Sequence, residues 1–304
     1  MPSDHHGTKP DATKKHPVLD IRHWMDDFPL GEDRSESGDV ERPGQRARVE
    51  QARALARVRG DLGPSVPADI FVWTHSVDRD KPWLTRLGGR YPWREKNKPW
   101  PKDPDGVPLH FLGQICFADS KDILPCELPG EVAIIFGRWQ AGWTFTDDVG
   151  VLEWSPIALK EPTDITQGWT TALPFCYQGV IHRSVQYTDW KAAEPSFKAV
   201  GYKHGGHGIH SIQATSIGTY ANLPQGWPFE NGDGNTLIAT LGSFYFRGSW
   251  PLCDVPRTFG LVRADGSEYD PSSVDGMSLG IGDAGCIWIY RDKDGVFKLS
   301  EACG

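Results

Sequence analysis

The sequence predicts an α+β protein that is predominantly antiparallel β: one compact unit with peripheral helices and a partial internal duplication. Three observations carry this. Its 304 residues include 34 Gly, 24 Pro and 13 Trp, a mix that favours many short strands joined by tight turns over a helical bundle. Several apolar runs show the two-residue period of strands, while one Arg-Ala-rich run shows helical spacing. Finally, Arg86-Leu87-Gly88-Gly89 is echoed by Lys203-His204-Gly205-Gly206, each followed by an aliphatic segment carrying a glutamine, Gln114 or Gln213. The echo reads as two related backbone turns in two halves of one fold.

Residues 1–40 mix charge, Ser, Gly and Pro without period and read as a flexible extension. Within them Ile21, Trp24, Met25 and Phe28 recur at helical spacing and would form one short docked turn. Residues 41–66 form a helical segment. Val49, Ala52, Leu55 and Ala56 make a narrow apolar stripe among Arg46, Arg48, Arg53, Arg57 and Arg59. Those arginines read as a solvated face whose stems cover apolar neighbours. The β-rich domain then runs over residues 67–304.

Asp69–His75 opens that domain as a strand. Leu109–Phe117 alternates, with Leu109, Phe111, Ile115 and Phe117 on one face and His110, Leu112, Gln114 and Cys116 on the other. This predicts a half-buried strand, with Pro108 just outside its ladder. Glu131–Phe136 is apolar on both faces, which predicts a central strand pairing antiparallel with the previous one. Residues 150–159 and 180–187 are further strands by their β-branched and aromatic content, and 188–200 hold one helical turn ahead of Pro195. The last third reads as strands and turns, ending in a hairpin that joins IWIYR to VFKLS through Asp292-Lys293-Asp294-Gly295.

The stretch from Leu87 to Phe136 strings together a double glycine, a Trp-Pro loop, FLGQI, an LPC segment and an apolar strand. It resembles the YwqG-like family, bacterial proteins grouped as a domain of unknown function. The resemblance spans about residues 81–304 and rests on Gly88 and Gly89, Trp100-Pro101, the Pro108–Gln114 run and Leu124-Pro125. It continues through KHGGHGIHSIQ and through Gly282, Asp283, Ala284 and Gly285. The chain departs from the pattern at His207, Gly208 and Thr240, where an aromatic, a proline and a glutamine are usual. The family likeness implies a mainly antiparallel β fold with peripheral helices, and no catalytic residues.

The chemistry is read largely by exclusion. A net charge of −8 makes nucleic acid an unlikely partner, because dedicated binders are ordinarily basic. The six cysteines form no C-x-x-C pair. No apolar run reaches the roughly 20 residues of a membrane helix, and no secretory signal is evident, so no membrane partner is expected and the cytoplasm is the expected compartment. His204, His207 and His210 stand close together but without the fixed spacing of a metal motif, so neither metal nor cofactor is expected. The two Asp-x-Asp-Gly stretches lack the remaining ligands of a calcium loop and read as turns. Nucleophile-elbow and phosphate-loop motifs are missing.

The functional segment is the loop from Lys81 to Lys102. Arg86, Arg90, Arg94 and four lysines alternate there with Trp83, Tyr91, Trp93 and Trp100, a local reversal of charge in an acidic chain. Arginine beside indole stacks on planar groups and pairs with anions; alternatively, the tryptophans cap the core and the cations form a solvated rim. The reading adopted is a non-enzymatic binding or interaction module, a class that includes immunity proteins. It would hold a small anionic ligand or a partner protein through Arg86, Gly88, Gly89, Arg90, Trp93, Arg94, Trp100, Gln114, Lys203, His204, Gln213 and Asp283. The alternative is a hydrolase or transferase with a His/Asp site between the halves.

Overall fold

A computed structural model describes residues 65–74, 80–89, 91–140, 143–145, 150–162, 176–187, 215–218, 234–245, 261–262, 268–269, 278–281 and 285–302. In chain order the strands are β1 (Ser65–Thr74), β2 (Arg86–Gly88), β3 (His110–Cys116), β4 (Val132–Gln140), β5 (Trp143–Phe145), β6 (Val151–Ser155) and β7 (Cys176–Tyr187). They continue as β8 (Ser216–Ile217), β9 (Thr236–Gly242), β10 (Phe244–Tyr245), β11 (Leu261–Val262), β12 (Glu268–Tyr269), β13 (Ser278–Ile281), β14 (Cys286–Arg291) and β15 (Phe297–Ala302). Ten of them form a nearly closed antiparallel sheet in the order β6-β4-β3-β2-β7-β1-β8-β9-β14-β15. At the seam Trp154 of β6 meets Phe297 of β15 edge-on, with ring centroids 5.3 Å apart. Strands β11 and β12 pair only with each other among the described residues.

The fold is strongly β-rich. Its helical content among the described residues is one 3₁₀ segment, Ala118–Ile123. The turns expected at 21–28 and 188–200 lie outside the described residues, as does the helix expected in 41–66 except at its end, which is corrected: Ser65 and Val66 belong to β1. No described helix is long and apolar enough to cross a membrane.

The expected pair β3–β4 is antiparallel, with Gln114 opposite Ile134 and Cys116 opposite Val132. The simple alternation of β3 is corrected, because a bulge at Leu112 interrupts its register. Leu109 and Phe111 therefore face outward, while Ile115 and Phe117 face the sheet's interior together with Leu112. Nor is the strand half-buried: the loop before it covers its outer face, and Phe111 to Cys116 are all buried. The interior is filled by Phe71, Leu87, Ile135, Tyr177, Ile238 and Ile287, among others.

The two ends of the sheet follow matching paths. Thr85 O accepts from Gly179 N at 2.9 Å and Thr85 Oγ1 from Cys116 N at 2.9 Å. Thr215 O accepts from Phe71 N at 3.0 Å and Thr215 Oγ1 from Gly242 N at 3.2 Å. Gln114 stands opposite Arg86, and Thr240 opposite Ser216. Each path has one bulge, at Leu112 in β3 and at Ile238 in β9. The place that matches Arg86-Leu87 is thus held by Ser216-Ile217. The expected counterpart Lys203–Gly206 lies outside the described residues.

Candidate functional site

The loop between β2 and β3 lies on the outer face of β3 and β4. Trp93, Trp100, Leu109, Phe111, Val132, Ile134 and Phe136 form one apolar cluster there, with Trp83 and Ile157 against it. Each of the two central indoles finds an acceptor: Trp93 Nε1 donates to Pro156 O at 2.9 Å and Trp100 Nε1 to Leu109 O at 2.7 Å. Buried tryptophans need such partners for their N–H.

Arg94 is the peg of the loop. It is only 1 % exposed. Its Nε and one Nη donate to Glu153 of β6 at 2.9 and 3.0 Å. The remaining donors reach Lys98 O at 3.1 Å and Pro99 O at 2.8 Å. The guanidinium also lies 5.5 Å from the Trp100 ring centroid and 5.8 Å from that of Phe136. The planar fork serves both carboxylate oxygens and two carbonyls at once, one bond more than the three N–H groups of an ammonium could make.

Gln114 is the latch. Its Oε1 accepts from Trp93 N at 2.9 Å, and its Nε2 donates to Pro82 O and Leu84 O at 2.9 and 2.8 Å. The side-chain amide thus ties to β3 both the segment before β2 and the loop after it.

These positions correct the expectation of an exposed arginine–indole surface. Trp93, Arg94 and Trp100 are buried anchors, and burying them yields more than leaving indole and methylene surface in water. The reading in which the tryptophans cap the core holds for this loop. Among the described residues its cations divide by type: Arg86 and Arg94 lie inside, whereas Lys81, Lys96, Lys98 and Lys102 stay exposed at the edge, with Lys98 Nζ 3.2 Å from Glu153. Lysine's compact charge is more strongly hydrated than a guanidinium.

Arg86 is 9 % exposed. One of its Nη atoms donates to Tyr91 O and lies 3.5 Å from Gln114 Oε1. Its Nε has no partner. Across the ladder Gly88 faces Cys176, and a Cβ on Gly89 would come within 3.0 Å of the Cys176 sulfur. Gly88 and Gly89 both have positive φ, 63° and 85°, a double turn suited to glycine. Burial pushes the Arg86 pKa down, opposed by the adjacent thiol. The same burial pushes the Cys176 thiol up, with Arg86 opposing.

The structure therefore brings Arg86, Gly88, Gly89, Trp93, Arg94, Trp100 and Gln114 into one region. Arg90, Lys203, His204, Gln213 and Asp283 lie outside the described residues, as do His207 and His210. Among the described residues no cluster of three or more potential ligands could hold a metal.

Sequence reasoning missed three participants. Glu153, an acid between Leu152 and Trp154 in a strand, carried a readable signal, since a buried charge in such a place needs a partner. Cys176 carried none. Asp69, fully buried, is paired with Arg183, whose Nε lies 2.5 Å away; Arg183 also binds Asp122 at 2.6 Å, tying the 3₁₀ segment to β1 and β7.

A scan against protein-family models finds no match for this chain, and a search of curated proteins finds none.

Proposed function

We propose that the chain is a non-enzymatic binding or interaction module, with the clamped loop as its platform and the loop's lysines as its contact edge. One observation carries this reading: a segment rich in cations is fixed by the Arg94–Glu153 pair and the Gln114 latch, with Lys81, Lys96, Lys98 and Lys102 exposed along it. A rigid edge loses little conformational freedom on binding, and local positive charge in a chain of net −8 favours an acidic partner surface. The resemblance to the YwqG-like family, a cytoplasmic location and an immunity-type role belong to the same proposal. So does an internal duplication, supported by the matching hydrogen bonds of Thr85 and Thr215 and by the paired bulges. The peripheral helices of the α+β reading are likewise proposed, for the part of 41–66 that precedes β1.

The test is capture from native extract, read by mass spectrometry of proteins and small molecules, with wild type compared against a K96E/K102E variant. Specific capture should be lost in the variant and should weaken as salt rises, because exposed charges are screened over about 8–10 Å. Capture that survives both would remove the lysine edge from the proposal.

A further inference from the structure

We propose that Arg86 is the receptor for a single carboxylate group of a small organic acid, bound beside the Gly88–Gly89 turn at the β2–β7 ladder. This site is internal and separate from the lysine edge.

Three other described arginines each meet a carboxylate. Arg94 is buried against Glu153. Arg183 is held by Asp69 and Asp122, and Arg138 by Asp103 and Asp105. Arg86 is buried as well, yet the acceptors it meets among the described residues are neutral: Tyr91 O, Gln114 Oε1 and the thiol of Cys176. At 3.5 Å the approach of Arg86 to Gln114 Oε1 is a marginal bond by its length. The Nε of Arg86 is left without an acceptor. A buried cation with an orphaned donor is costly unless an anion completes it, and arginine does not escape by losing its proton.

Among the described residues, Cys176 is the ionisable group that acts on Arg86. Burial holds that thiol in its neutral form, so it supplies no counter-charge. One positive charge is balanced by one negative charge, which selects a carboxylate over a dianionic phosphate. A carboxylate oxygen is also the acceptor that suits the free Nε–H.

The test uses the full chain and sodium acetate as probe, against sodium chloride at equal ionic strength. The melting temperature of wild type should rise with acetate and saturate, as for any ligand that binds only the folded state. Arg86→Gln should abolish the rise. Cys176→Asp, which builds a carboxylate beside the guanidinium, should melt higher than wild type without acetate and gain nothing from it; this arm decides the matter if Arg86→Gln does not fold. The proposal is overturned if acetate acts like chloride on wild type, or if Arg86→Gln keeps the response. A larger rise with inorganic phosphate than with acetate overturns the carboxylate assignment. Thiolate absorbance at neutral pH that disappears in Cys176→Ser shows that the protein supplies its own anion and also overturns it. Capture through the lysine edge is measured on the same variants, so that failure of one proposal is told apart from failure of the other.

Discussion

At the scale of single residues, the Arg94–Glu153 pair shows how a charged side chain serves as packing. Both partners are buried, 1 % and 8 % exposed, so neither charge can be left alone without penalty. Glu153→Ala should destabilise the protein by about 3–5 kcal/mol in chemical denaturation, the usual cost of orphaning a buried charge. The double replacement Arg94→Met with Glu153→Leu should recover most of that loss, because both charges leave together. Equal losses in the single and double variants would show that the carbonyl bonds of Arg94, not the ion pair, hold the loop. Cys116 offers a second residue-level check. Burial pushes its thiol up to about 11 from an ordinary 9.0. A folded pKa above the unfolded one means stability that is full below about pH 9 and lost as pH rises toward 11. The difference is about 2–3 kcal/mol for two units. The alkaline fall in stability should therefore be smaller in Cys116→Ala, measured by urea titrations across that window.

At the scale of elements, two turns repeat one solution. Asp103 Oδ1 accepts from Asp105 N and Val107 N, both at 2.9 Å; Asp292 Oδ1 accepts from Asp294 N and Val296 N at 3.0 and 2.8 Å. Gly106 and Gly295 take positive φ, 81° and 87°. The Asp-x-Asp-Gly stretches are thus turns, as the sequence predicts, and each free carboxylate oxygen meets a cation, Arg138 or Lys298. Asp103→Ala and Asp292→Ala should each lower the melting temperature, with Asn restoring part of it through the retained oxygen. Asp292 sits below the usual carboxylate range, chiefly through its bond to Lys298. Its contribution is present above the unfolded value and is lost as pH falls through the folded one. Equal melting of the Ala and Asn variants would refute the shared-oxygen account. Gly113 makes a different demand: a Cβ there would lie 2.8 Å from Arg86 O and 3.2 Å from Leu87 Cδ2. Gly113→Ala should cost about 1–3 kcal/mol, since backbone blocks the added methyl.

At the scale of the molecule, the decisive features are interleaving and closure. Strand β7 sits between β2 and β1, so a strand from the middle of the chain separates two strands from its early part. Unfolding should be a single transition, coincident by tryptophan fluorescence and by far-ultraviolet circular dichroism. Closure rests on Trp154, which packs on Phe297 across the seam and on Phe117 at 5.8 Å. Trp154→Ala should cost about 3 kcal/mol or somewhat less, because the ring is only partly buried. Two separated transitions in wild type would contradict the interleaved sheet.

What was legible in the sequence is local. Alternation and two-sided apolarity located β3 and β4, β-branched and aromatic content located β6 and part of β7, and a turn signal located the β14–β15 hairpin, because each is a property of a short stretch of backbone. Asp and Gly announced their turns for the same reason. The bulge at Leu112 was not legible, since an extra residue is defined only by the strand opposite it. The loop's cations and indoles were visible as a cluster, but whether they faced water or core was set by Glu153, Gln114 and Pro156, each far along the chain or across a strand. The matching of Thr85 with Thr215 was hidden by a more conspicuous glycine pair. Short-range periodicity and backbone preference thus placed the longer strands and the Asp-Gly turns, but not β2, which lies inside the segment read as a loop. Only the tertiary structure decided which charges are buried, where the register slips and how the sheet's ends meet, because these depend on long-range partners that bring distant residues into one low-dielectric interior.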